Sequence, residues 1–129
     1  MRILFVEDEA DTRLVVGAGL ELHGFSVRMA EDGPTALQAL RESSFDAVVT
    51  DVSMPHGVSG IEVAEEALKR QPTAKVLIVS GYARAQLPKL PDHVSFLGKP
   101  YGLADLVSIL RGMLGSVALV GIARFAGVA

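Results

Sequence analysis

Ala47-Val48-Val49-Thr50-Asp51 is a short run of strand character that ends on a carboxylate. Consecutive apolar residues without polar alternation suit a strand buried on both faces. Upstream, Ile3-Leu4-Phe5-Val6 has the same form and runs straight into Glu7-Asp8-Glu9. Downstream, Val76-Leu77-Ile78-Val79 runs into Ser80-Gly81. Ser26 to Met29, interrupted by Arg28, and Val94 to Leu97, ahead of Lys99-Pro100, complete a set of five. Segments of helical period lie between them. Leu14, Ala18 and Leu22 form the first, with Asp11 or Thr12 as its cap and Gly24 as its stop. Ala36, Leu37 and Leu40 follow Pro34, and Ile61, Ala64 and Leu68 follow from about Gly60. Leu103, Leu106, Val107, Leu110 and Leu114 form the last. Pro88 and Pro91 fall where a fourth helix belongs, which predicts that this helix is short or distorted.

Five strand–helix repeats within 129 residues predict an α/β domain over residues 1–114, a parallel sheet with helices on both faces. Residues 115–129 are an apolar C-terminal extension whose one charge is Arg124. Val117, Leu119, Val120, Ile122, Phe125 and Val128 are too many apolar groups to leave in water. The extension is therefore expected to pack back on the domain, ahead of being poorly ordered, or to serve as a dimerisation or partner-docking helix, with a homodimer as one outcome.

The 12 Lys and Arg against 15 Asp and Glu give a formal charge of −3, which argues against a nucleic-acid partner. The absence of cysteine excludes disulfide scaffolds, thiolate metal sites and cysteine nucleophiles. A four-residue apolar run closed by three acids is no signal peptide, and no stretch approaches the ~18 apolar residues of a membrane span. The expectation is a cytoplasmic chain with no membrane partner.

Open parallel sheets bind ligands beyond the carboxyl ends of their strands. The polar residues there are Glu7, Asp8, Asp51, Ser80 and Lys99. With the first and third strands as neighbours, Glu7, Asp8 and Asp51 bring three like charges together, an arrangement that a hard dication relieves. Mg²⁺ suits it, because it takes few carboxylates and keeps waters that a phosphoryl oxygen can replace. Lys99 supplies a point charge for Asp51 or for phosphate, and Ser80 a hydroxyl donor. Taken alone, Asp51 is a turn former, Glu7-Asp8-Glu9 a helix N-terminus, Ser80-Gly81 a turn and Lys99 a surface lysine. Compatible groups at four separate strand ends outweigh those readings. Together they form the clamp that phosphoryl transfer to Asp51 needs.

Over roughly residues 2–114 the chain resembles the receiver domains of two-component response regulators. The likeness rests on Phe5-Val6-Glu7-Asp8, Asp51-Val52-Ser53-Met54-Pro55, Val79-Ser80-Gly81-Tyr82-Ala83 and Lys99-Pro100-Tyr101. It implies a flavodoxin-like, doubly wound (βα)₅ sheet of order 2-1-3-4-5. It implies Asp51 as phosphoacceptor, Glu7 and Asp8 as the Mg²⁺-binding acids, and the Ser53 carbonyl as a further metal ligand. Ser80 matches the switching hydroxyl, Phe96 the switching aromatic and Lys99 the family lysine, with Lys99-Pro100 a candidate cis peptide. Ser53 and Tyr82, two residues beyond Asp51 and Ser80, are expected to tune water access.

The implied function is that of a phosphoryl acceptor, not an enzyme in the ordinary sense. A histidine kinase or phosphotransfer protein phosphorylates it, it autodephosphorylates, and it switches binding of a downstream protein. Glu7 stands where Asp is common. The loop from Asp51 to Gly60 is one residue longer than in the chemotaxis type, as in receivers of hybrid sensor kinases, although a stand-alone receiver is expected here. A phosphorylation-independent binding module is the alternative. A Mg²⁺-dependent phosphohydrolase is disfavoured because Ser53 stands where a general acid would be needed.

Overall fold

The computed structural model describes residues 1–128, with side chains described as far as Gly115. The order is β1 (Arg2–Val6), α1 (Ala10–Leu22), β2 (Ser26–Ala30), α2 (Gly33–Glu42), β3 (Ala47–Asp51), α3 (Gly60–Arg70), β4 (Lys75–Ser80), β5 (Val94–Gly98) and α4 (Leu103–Val128). The strands form one parallel sheet in the order β2-β1-β3-β4-β5, as expected. Successive strand residues face opposite sides, so each apolar run feeds two cores. Leu4, Val6, Val48, Val76 and Ile78 pack with Ala36, Leu40, Val63 and Ala67 of α2 and α3. Ile3, Phe5, Val49, Leu77 and Val79 pack with Leu20, Leu106 and Leu110 of α1 and α4.

Helix starts follow local chemistry. Glu9 caps α1, its carboxylate accepting the amides of Asp11 and Thr12, which corrects the assignment of the cap to Asp11 or Thr12. The cap lies earlier because Glu9's longer arm folds back onto the first turn, while Asp11 sits inside that turn, where its charge complements the helix dipole. Asp32 caps α2 through the Thr35 amide at 2.8 Å, with Pro34 in the first turn, and Ser59 caps α3. Gly24, at φ 93°, follows the C-cap His23 and turns the chain into β2.

The fourth helix is reduced to a single 3₁₀ turn, Arg84–Gln86. Leu87 and Leu90, in the proline-containing chain that follows, pack instead against the α2–α3 side of the core. Among the described residues no helix is long and apolar enough to cross a membrane. The expectations for the apolar extension, back-packing or dimerisation, concern side chains beyond Gly115 and lie outside the described residues.

Candidate functional site

Strand register assembles the site. Val6, Thr50, Ile78 and Phe96 align in one row across β1, β3, β4 and β5. The row beyond carries Asp51 opposite Val79 and Val79 opposite Leu97, with Glu7 the residue after Val6. Neighbouring strands lie ~4.8 Å apart, so Glu7 and Asp51 emerge side by side. Oxygens of Glu7, Asp8 and Asp51 all lie within 4.8 Å of one another. Glu7 is 2% and Asp51 9% exposed, while Asp8 faces solvent.

Lys99 closes the cluster from β5, its Nζ donating to Asp51 Oδ2 at 2.5 Å and to Glu7 Oε1 at 3.2 Å. Its main-chain N–H donates to the Ser80 carbonyl at 2.8 Å, and the Lys99-Pro100 peptide is cis. Ser80 is buried at the adjacent strand end, where its Oγ accepts the Tyr82 amide at 3.0 Å. Ser53 and Tyr82 are exposed beside the cluster's loops, and Phe96 is half-buried against the α2–α3 core.

Several contributors carried no role in the sequence reading. The Glu9 amide donates to Glu7 Oε2 at 3.1 Å, and Arg13 Nη1 donates to the carbonyls of Glu7 and Asp8, fixing the turn after β1. Thr50 Oγ1 donates to the Asp51 carbonyl at 3.0 Å. Tyr101 lines a cleft beside Lys99 with Thr12, Val16 and Pro100. Burial, then the charge of Glu7, pushes its phenol above the ordinary tyrosine value. The signal for Tyr101 lay in its place after Lys99-Pro100, and that for Arg13 in its place one helical turn past the acids.

Burial pushes the Glu7 carboxyl above the usual glutamate value, outweighing the Glu9 amide and Lys99, which pull it down; the Asp51 charge adds to the rise. For Lys99, burial alone would lower the ammonium's pKa, but hydrogen bonds and charges from Asp51 and Glu7 prevail and raise it. Between the ordinary glutamate value and Glu7's raised one, the folded chain holds a proton that the unfolded chain has released. Stability without metal therefore falls as pH rises through that window. Glu7→Gln, which keeps an oxygen for Lys99 but gives up the acceptor for the Glu9 amide, should flatten this slope whatever its effect on absolute stability. Superimposable pH profiles for the two proteins would show that Glu7 is not the penalised acid.

All donors at the cluster are hard oxygens, two of them on buried acids, and the local cation is a lysine that can turn to a phosphate. That set fits Mg²⁺ rather than a soft metal. The sheet order and a cluster of acids with a lysine at its strand ends place the chain among the phosphoryl-accepting domains of two-component signalling. It belongs to the response regulator receiver domain family, whose sequence profile matches residues 3–111. Members of that family are signalling modules that bind Mg²⁺ at an acidic pocket.

The response regulator receiver protein CpdR of Brucella abortus is 34% identical over 116 residues, which cover 88% of this chain and 96% of CpdR. The sensor kinase CckA of the same organism is 35% identical over 117 residues, 87% of this chain but 12% of the kinase. The crystal structure of Thermotoga maritima TrrA, a response regulator in complex with Mg²⁺ and BeF, superposes with a TM-score of 0.77 at 31% identity, covering 88% of this chain and 98% of TrrA. TrrA has also been crystallised in complex with the histidine kinase ThkA.

Proposed function

We propose that this receiver takes a phosphoryl group on Asp51 from a histidine kinase or phosphotransfer protein and thereby changes its affinity for a downstream protein. One observation carries the reading: Asp51 converges with Glu7 and Asp8 at metal-binding separation while Lys99 holds Asp51 Oδ2. Glu7, Asp8, Asp51 and the Ser53 carbonyl would hold Mg²⁺. When bound, that ion neutralises charge on the phosphoryl oxygens. An Asp51 carboxylate oxygen attacks phosphorus, the O–P bond forms as the donor's N–P bond breaks, and the electron pair stays on the imidazole. Lys99 then exchanges its bond to Asp51 for one to the incoming phosphoryl group. Hydrolysis by water returns Asp51 and inorganic phosphate, with Ser53 and Tyr82 lining the approach.

The donor's docking face is read from α1. Leu14 and Val15 are exposed in the first turns of a helix that starts beside the acids, so a helical phosphodonor seated there would bring its histidine towards Asp51. A cytoplasmic location, where such a donor would meet the domain, is part of this proposal.

The switch runs through Ser80. Its hydroxyl now accepts the Tyr82 amide, and turning it to donate to a phosphoryl oxygen breaks that bond. The segment so released is the one that carries the 3₁₀ turn, and Phe96 on the next strand packs on the same core as its Leu87 and Leu90. Phosphorylation thus biases an extended segment instead of a helix.

Amide NMR on addition of Mg²⁺ and beryllofluoride tests this. Shifts centred on Asp51 and spreading to Ser80, residues 81–92 and Phe96 are expected. Shifts confined to the acids would favour the phosphorylation-independent binding module.

A further inference from the structure

We infer that His56 is a positioning residue for the metal site, holding the tip of the loop between β3 and α3 on the N-terminus of α2. The inference rests on the reading of Asp51 and Ser53 given above. His56 touches none of the reacting groups and acts through the loop that carries the Ser53 carbonyl.

His56 and Gly57 are both in the left-handed region, at φ 69° and 76°. Glycine adopts that conformation without penalty, but a histidine there is uncommon and needs a compensating contact. The contact is visible: His56 Nδ1 lies 2.7 Å from Asp32 Oδ2. A carboxylate only accepts, so Nδ1 carries the hydrogen. Asp32 is poised for this, since its Oδ1 is occupied by the Thr35 amide and its side chain is 10% exposed.

The seat beneath the loop is equally close. A Cβ on Gly33 would fall 2.4 Å from Val58 Cβ and 2.7 Å from the Val58 carbonyl oxygen, so the loop rests directly on the first turn of α2. At its base the loop is tied by the Val52 amide to the Val79 carbonyl at 3.1 Å and by the Gly60 amide to the Val52 carbonyl at 2.8 Å. Among the described residues, the His56–Asp32 bond is the one side-chain hydrogen bond from positions 53–58 to another element. It fixes the distal end of the arc on which Ser53 sits. A main-chain ligand held in place before the ion arrives loses less freedom on binding, so affinity depends on that anchor.

The full chain is titrated with Mg²⁺ alone by calorimetry, and amide hydrogen exchange is followed at residues 53–58. His56→Gly removes the hydrogen bond while relieving the left-handed backbone, so its urea midpoint should equal or exceed that of the unsubstituted protein. Its Mg²⁺ dissociation constant should nonetheless rise about tenfold, with faster exchange in the loop. His56→Asn tolerates the same φ and offers an amide donor to Asp32; it should restore affinity to within about twofold. Unchanged Mg²⁺ affinity and loop exchange in His56→Gly would overturn the inference and leave the Asp51 reading intact. Failure of the unsubstituted chain to bind Mg²⁺ at Asp51 would overturn both.

Discussion

Asp51→Asn is expected to abolish Mg²⁺-dependent labelling by a small phosphodonor such as acetyl phosphate, by a factor on the order of 10³ or more. The substitution removes the only proposed nucleophile, together with one of the three carboxylates that would hold Mg²⁺. The asparagine carbonyl still accepts from Lys99, whose Nζ lies 2.5 Å from Oδ2 in the acid, and the side chain keeps its volume at a site 9% exposed. One of three converging negative charges disappears, which relieves repulsion on Glu7 rather than adding to it. Thermal stability without metal should therefore hold or rise, so lost labelling cannot be ascribed to unfolding. Intact-mass spectrometry after incubation with phosphodonor and Mg²⁺ reads the result directly, with a gain of one phosphoryl group in the unsubstituted chain and none in the variant. A phosphoryl adduct of equal yield in Asp51→Asn would move the acceptor elsewhere and end the proposal.

The parts of this site legible in the sequence are those that sit at strand ends. A parallel strand buried on both faces announces itself as an apolar run, and the first polar residue after it falls at the carboxyl edge of the sheet. Glu7, Asp51 and Ser80 were found that way, and Lys99 two residues beyond the row of Asp51. What escaped is held by contacts across loops, which have no period. The Glu9 cap was missed because the more common short capping residues lay just downstream.

The His56–Asp32 bond joins residues 24 apart through a left-handed turn, and its only local sign was the glycine after the histidine. The fourth helix is an intermediate case. Pro88 and Pro91 foretold its weakness, but its replacement by a single 3₁₀ turn depends on Leu87 and Leu90 finding the core from an extended chain. Local propensity says where a helix fails; tertiary packing says what takes its place.

Gly60→Ala should be among the most damaging single-methyl additions to this protein. A Cβ at position 60 would fall 1.6 Å from the Asp51 carbonyl oxygen and 2.6 Å from its carbonyl carbon, with Thr50 Oγ1 at 2.9 Å. Those first two atoms are backbone in a central strand, so neither can swing aside as a flexible side chain would. Either α3 moves off the sheet, losing the packing of Val63, Ala64 and Ala67, or the end of β3 moves with Asp51 on it. At an ordinary exposed helix position glycine to alanine stabilises by roughly 0.4–1 kcal/mol. Here overpacking against the backbone should reverse the sign and cost about 3 kcal/mol or more, read as a fall in the urea midpoint. Gly57→Ala serves as the comparison, because nothing lies within 4 Å of its Cβ and only the φ of 76° opposes it, at about 1 kcal/mol. Whatever fraction of Gly60→Ala remains folded should label poorly, since a displacement near 1 Å at a reacting group can cost about 10²-fold in rate. A folded Gly60→Ala protein with unchanged midpoint and normal labelling would mean that the close seat of α3 on the Asp51 carbonyl does not exist, and with it would go the account of how β3 aims its carboxylate.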